Sequence, residues 1–284
     1  MTNAGASAVE EPTPAASGGA PFDLPGGPDA VLLLHGLTGS PFEVRLVADR
    51  LHAAGYRCRG PVMPGHGGDP RALAGLAFAR WVEGALRELA MLDGARRTFV
   101  VGCSMGALVA CALAAAAPDR VQGLALLAPA LRLAGAARLA ALVARHTPLR
   151  RALVPKLGGS DVRDPVMRRA NPTMRAVPLS AVGELDLLAR HVDGLLPGIA
   201  APALVVAGAK DHTVTLAGAR RMARRLGAGG GRLVVLPRSF HLVGIDVERE
   251  RCAGEVLAFF DGLPVPASAS DASDHEGGVW RRRT

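Results

Sequence analysis

From residue 30 onward, short continuous apolar runs alternate with segments whose apolar positions recur at helical spacing. Ala30-Val31-Leu32-Leu33-Leu34 has no polar position, which predicts a strand buried on both faces. Phe42 to Ala54 follows with helical spacing and is stopped by Gly55. Tyr56 to Val62 predicts a second strand, closed by the loop Pro64-Gly65-His66-Gly67-Gly68. An amphipathic helix is expected over about Leu76 to Leu92, and further strands over Thr98–Cys103 and Val121–Leu127. The rhythm resumes with strands over Ala203–Ala207 and Leu233–Leu236, a helix between them over about Thr215–Leu226, and a closing helix over Val247–Phe260. Strand–helix–strand alternation predicts an α/β fold whose mostly parallel central sheet carries helices on both faces through right-handed crossovers.

Between Ala130 and Pro202 the alternation stops. About 70 residues there separate two consecutive strands, several times a usual crossover. The segment is helical in composition and punctuated by prolines, which predicts a helical cap at about 131–196, inserted over the carboxyl edge of the sheet. The folded domain is then expected over 22–262. The Ala/Pro/Gly/Ser-rich stretch 1–21 reads as a disordered leader and 263–284 as a disordered basic tail.

Composition narrows the function classes. Of 284 residues, 49% are apolar and 20% charged, a globular balance that excludes a mainly disordered chain. Aromatic residues are only 4%, so the core must be built from Ala, Leu and Val. The net charge is +8, carried almost wholly by arginine since Lys156 and Lys210 are the only lysines. Residues 131–195 hold 11 basic and 5 acidic residues, which accounts for +6 of it. That pattern reads as a solvated basic surface, and Arg281-Arg282-Arg283 is too short to argue for nucleic acid, so no nucleic-acid partner is expected. Cys58, Cys103, Cys111 and Cys252 form no CxxC pair and have no histidine at metal-ligand spacing, so neither a metal nor a disulfide framework is expected. The N-terminal stretch lacks the basic and apolar regions of a signal peptide, which fits a cytoplasmic chain.

Phe99 to Ala117 runs 19 residues without a charge, long enough for a membrane span. The β-branched and aromatic start, the turn Gly102-Cys103-Ser104-Met105-Gly106 and the Ala-rich stretch ended by Pro118 instead predict a buried strand, a tight turn and a buried helix. No stable membrane insertion is expected.

That turn carries the chemistry. G-x-S-x-G alone is only suggestive, but here it falls between a buried strand and a helix, the setting of a nucleophile elbow. The flanking glycines remove side chains that would clash, and the helix N-terminus supplies free N–H groups where an oxyanion would develop. Cys103 precedes the exposed position and reads as a small buried side chain. A serine hydroxyl needs a base. Of eight histidines, His241 lies in the loop after the last strand, on the same sheet edge as Ser104. Asp211, after the strand ending Ala207-Gly208, falls on that edge as well. The order Ser104, Asp211, His241 is the one expected of an α/β-hydrolase. Asp193 in the cap and His212 are the rival acid and base, and neither has a strand end to place it. His35-Gly36 follows the first strand, so the N–H groups of Leu37 and Met105 are the expected oxyanion donors, with His35 structural and His66 locking its loop.

Taken together, LLLHGLTGSPFEVRLVADRL, PVMPGHG, VVGCSMGALVA, VVAGAKDHTV and RSFHLVGID resemble the bacterial carboxylesterase and monoacylglycerol-lipase family of α/β-hydrolases, collinearly over about residues 22–262. The resemblance implies the α/β-hydrolase fold with a small cap and no cofactor. It implies hydrolysis of short-to-medium-chain carboxylic esters or monoacylglycerols through Ser104, Asp211 and His241, with Leu37 and Met105 as oxyanion donors. The partners expected are a small-molecule ester and water, with the chain a monomer or weak homo-oligomer. The cap is richer in Arg and Ala than the family leads one to expect, which bears on substrate size.

The same machinery serves thioesterases, peptidases and acyltransferases, and the scaffold alone does not choose among them. Epoxide hydrolases and dehalogenases would need Asp in place of Ser104. A low-turnover binding protein on the same fold is the reading from a different class, and reaction with a fluorophosphonate separates it from an enzyme. Activity is expected to fall as pH drops through the His241 titration, around 6–7. The apolar stretches Leu139–Val143 and Leu185–Leu188 of the cap are expected to bury an acyl chain.

Overall fold

The computed structural model describes residues 18–147, 152–156, 158–227 and 229–265. The expected leader lies outside the described residues except for 18–21, and the expected tail except for 263–265.

The apolar run expected near residue 30 forms β2 (Asp29–Leu34), buried at every position. Ahead of it lies β1 (Phe22–Leu24), and beyond it come α1 (Phe42–Ala53), β3 (Arg57–Gly60), α2 (Phe78–Ala90), β4 (Arg97–Cys103), α3 (Met105–Ala116) and β5 (Gly123–Leu127). After a long excursion, β8 (Ala203–Gly208), α7 (Leu216–Arg225), β9 (Arg232–Leu236) and α8 (Arg249–Asp261) complete the chain. Seven strands form one sheet in the order β1-β3-β2-β4-β5-β8-β9. Every pairing is parallel except β1 with β3, where Phe22 faces Gly60 across an antiparallel edge. This is the α/β-hydrolase architecture.

Alternation along the strands divides the core in two. Ala30, Leu32 and Leu34 face one layer with Trp81, Leu108 and Met222, and Val31 and Leu33 face the other with Val47, Val256 and Phe260. Each such Leu or Val taken from water contributes about 1.5–3 kcal/mol. A sheet covered on both faces in this way buries its central strands at every position, as β2, β4, β5 and β8 are. The uncharged stretch 99–117 is the end of β4, the turn and α3. Among the described residues, no helix is long and apolar enough to cross a membrane.

The chain runs from β2 to β3 on one side and returns to β4 on the other. Ligands of open α/β sheets bind at the carboxyl ends where the order reverses in this way. Between β5 and β8 the chain forms α4 (Gly135–His146), β6 (Leu153–Pro155), α5 (Pro165–Ala170), β7 (Ala176–Pro178) and α6 (Leu179–Leu195). This excursion is not wholly helical, because β6 and β7 pair antiparallel through Val154 and Val177. Each is three residues long and ends in proline, too short to show a period of two.

Candidate active site

Three residues other than glycine have positive φ among the described residues: Thr38 (64°), Ser104 (54°) and Ala128 (44°). They follow β2, β4 and β5, and such conformations cost on the order of 1–3 kcal/mol each unless the surroundings enforce them. At Ser104 the surroundings do. Its N–H donates to the Leu127 carbonyl at 2.8 Å, and its own carbonyl accepts the Ala107 N–H at 3.2 Å. A Cβ on Gly102 would lie 2.3 Å from the Gly106 carbonyl oxygen, and one on Gly106 would lie 2.2 Å from that of Leu34. Both flanking glycines are therefore dictated by space, which is the physical content of the elbow.

Ser104 Oγ lies 2.9 Å from His241 Nε2, and His241 Nδ1 lies 2.7 Å from Asp211 Oδ2. A carboxylate only accepts, so Nδ1 carries the proton and Nε2 accepts from the serine hydroxyl. The other Asp211 oxygen accepts the N–H groups of Thr213 and Val214, each at 2.8 Å. The His241 loop packs directly on the end of β8, where a Cβ on Gly208 would meet the Phe240 carbonyl oxygen at 2.0 Å. Asp246 and Glu248 hold that loop, accepting from the Phe240 N–H at 2.6 Å and from the Arg238 N–H and Ser239 hydroxyl at 2.8 Å. Burial opposes a charge on His241, but the Asp211 charge and hydrogen bond, with Asp161 and Glu43 behind them, raise its pKa above the ordinary histidine value.

Leu37 lies in the loop after β2, and Met105 opens α3. Among the described residues, no acceptor is paired with the N–H of either. The loop is fixed by its neighbours. Glu43, 3% exposed at the start of α1, accepts the Gly36 N–H at 2.9 Å. The Thr38 carbonyl accepts the Met174 N–H at 2.8 Å and the Thr173 hydroxyl at 3.0 Å. Lys156 Nζ donates to the hydroxyls of Thr38 and Thr173 at 2.9 Å. Burial holds the Lys156 ammonium below its usual range, opposed by the nearby Glu43 carboxylate, whose own pKa burial raises.

The other histidines and acids fall elsewhere. His35 is fully buried, donating from Nδ1 to the Gly36 carbonyl and accepting the Met63 N–H at Nε2. Burial and the adjacent His66 push its pKa down to about 3, so it is a neutral structural element. His66 stacks edge-on against it and donates to the Pro64 carbonyl. Asp193 is paired with Arg221 at 2.7 Å, and the His212 ring turns to Asp161. All four cysteines are free and buried, and burial pushes the Cys103 thiol well up. Glu43, Lys156 and Asp161 were not anticipated. An acidic residue in a first helical turn is ordinary, and the other two lie where no periodicity places them.

Ser104 and His241 open onto a cavity of about 290 Å³. Its apolar wall includes Leu133, Ala136, Ala137, Ala140, Val182 and Leu185. The stretch 139–143 does not supply the expected leucines to this wall. Leu139 and Leu142 are 63% and 47% exposed, and Ala140 is the residue of that stretch that reaches the cavity.

The family model described as serine aminopeptidase, S33, matches residues 28–248. A thermostable monoacylglycerol lipase of Bacillus sp. (strain H-257) is 28% identical over 253 residues, covering 89% of this chain and 98% of that protein. A carboxylesterase of Bacillus subtilis (strain 168) is 24% identical over 245 residues, covering 86% and 96%. A solved structure from the metagenome-derived lipolytic enzymes LipS and LipT superposes with a TM-score of 0.79 at 26% identity, covering 86% of this chain and 98% of that one. The chain therefore belongs to the serine aminopeptidase, S33, family and is a lipase/esterase-like hydrolase with the α/β-hydrolase fold.

Proposed function

We propose that the protein hydrolyses short-to-medium-chain carboxylic esters or monoacylglycerols through an acyl-enzyme on Ser104. The observation that carries this reading is the chain of hydrogen bonds from Ser104 Oγ through His241 to Asp211, at 2.9 and 2.7 Å, at the mouth of an apolar cavity. His241 takes the serine proton as Oγ attacks the ester carbonyl, and Asp211 orients the imidazole and stabilises its cation. The N–H groups of Leu37 and Met105 receive the tetrahedral oxyanion. His241 then protonates the leaving alcohol, and water, deprotonated by the same imidazole, releases the acid. The four free, buried thiols support a reducing compartment, the cytoplasm.

The residues between β5 and β8 act as the cap in this reading, and their apolar wall takes the acyl chain. A cavity of roughly 150 Å³ holds a benzene, so one of about 290 Å³ has room for about twice as many heavy atoms. Each methylene buried there contributes about 0.8 kcal/mol, so two favour binding roughly tenfold. The specificity constant is expected to rise from p-nitrophenyl acetate to a chain of about C4 to C10 and then level or fall, measured with monomeric substrate. A maximum at acetate, or no trend, would mean that the cap does not form the acyl pocket. The family description favours a second reading, cleavage of peptide bonds, and aminoacyl p-nitroanilides in the same assay separate the two.

A further inference from the structure

Asp161 lies between β6 and α5, in the wall of the active-site cavity, with its side chain 17% exposed. Its main-chain carbonyl accepts the N–H groups of His241 and Leu242, at 3.1 and 3.2 Å. Its carboxylate turns to the other catalytic loop. Oδ2 accepts the His212 N–H at 2.9 Å and the Thr213 hydroxyl at 3.1 Å, and Oδ1 meets His212 Nδ1 at 2.9 Å. One residue thus holds the loop after β8, with Asp211, and the loop after β9, with His241. Asp246 fastens the same segment from behind, accepting the Arg163 and Asp164 N–H groups at 2.9 Å on the carboxylate that also binds the Phe240 N–H.

These bonds join three stretches of chain far apart in sequence, and they converge on a single side chain and its own carbonyl. We propose that Asp161 is a positioning residue that ties the acid loop to the base loop and so fixes the geometry in which Asp211 and His241 meet. The inference rests on the reading of Ser104, Asp211 and His241 as the catalytic groups. It also carries an electrostatic consequence. The charged groups that bear on the His241 imidazole are Asp211 from the loop after β8, Asp161 from the segment before α5, and Glu43 from α1. Lys156 in turn bears on Glu43, and His212 on Asp161. The three carboxylates favour the imidazolium, so removing the Asp161 charge moves the His241 titration to lower pH.

The test measures kcat and KM for p-nitrophenyl butyrate across the pH range with the full chain, for wild type, Asp161→Asn, Asp161→Glu and Ser104→Ala. Thermal unfolding accompanies each protein. Asp161→Asn is expected to lower kcat about tenfold or more, to change KM by less than about threefold, and to shift the acid limb downward. Asp161→Glu keeps the charge and is expected to keep the limb near its wild-type position. A purely structural role would lower the unfolding temperature and leave the limb of the folded enzyme where it was. A folded Asp161→Asn variant with kcat within about twofold of wild type and an unmoved limb overturns the proposal. An active Ser104→Ala variant overturns the catalytic reading and this proposal with it, whereas an inactive one beside a wild-type-like Asp161→Asn sinks the positioning role alone. If Asp161→Asn does not fold, His212→Ala and Thr213→Val each remove one donor from the same carboxylate. Each is expected to lower kcat about two- to fivefold, and unchanged kcat in both would overturn the proposal.

Discussion

The Glu43 carboxylate lies inside the curl of the Gly36–Gly39 loop, accepting the Gly36 N–H at 2.9 Å and sitting where a Cβ on Gly39 would meet Glu43 Oε1 at 2.2 Å. The loop that carries the Leu37 N–H is thus wrapped around a buried acid from α1. Replacing Glu43 with Ala leaves the Gly36 N–H without its acceptor and Lys156 without its nearby carboxylate. A loss of about 1–3 kcal/mol in stability is expected, together with a fall in kcat/KM. Glu43→Gln keeps the acceptor and the volume and is expected to lose less of both. Denaturant unfolding and kinetics on the two variants check this, and an Ala variant as stable and active as the Gln variant would contradict it.

Asp211 and Asp193 are both aspartates near the ends of their elements, with opposite expectations. Asp211 meets His241 at 2.7 Å, whereas Asp193 meets Arg221 at 2.7 Å and Arg225 at 3.9 Å. Asp211→Asn is expected to lower kcat by orders of magnitude, on the order of 10⁴. Asp193→Asn is expected to leave kcat within about twofold, since partly exposed ion pairs contribute little even to stability. Reversed effects in a side-by-side assay would move the acid to the segment between β5 and β8.

The pH dependence has a definite sign. Burial works against the His241 cation, but the Asp211, Asp161 and Glu43 carboxylates together outweigh it, and the imidazole titrates above its ordinary value of 6.5. Only the neutral ring can take the Ser104 proton, so kcat/KM falls as pH drops, with a midpoint above that value. The same shift acts on folding. The charged ring is favoured in the native state, so its contribution to stability is complete below the ordinary histidine pKa and is lost as pH rises through the native one. A profile without an acid limb, or one with its midpoint below the ordinary histidine range, would speak against His241 as the base.

The fold and the approximate place of the site were legible because both depend on features with a strong local pattern. β5 and β8 are unbroken apolar runs, β2 and β4 become so after Asp29 and after Arg97-Thr98, and Ser104, Asp211 and His241 each follow a strand at one sheet edge. What escaped has no such pattern. β1, β6 and β7 are three residues each, held by pairing partners distant in sequence. Glu43, Lys156 and Asp161 act through contacts across 7, 118 and 51 positions, which no local spacing encodes. The orientation of α4 was equally hidden. Its leucines lie on the side of Arg138, so the helix turns Ala136, Ala137 and Ala140 to the cavity and Leu139 and Leu142 to solvent.

The central claim is that Ser104 is the nucleophile of an acyl-enzyme. A fluorophosphonate offered to the native protein, followed by mass analysis of the labelled peptides, tests it most directly. The account expects one equivalent of label on Ser104, loss of esterase activity in step with labelling, and neither label nor turnover in a Ser104→Ala variant whose unfolding transition is intact. Label on another residue, or ester turnover that survives in folded Ser104→Ala, would contradict it.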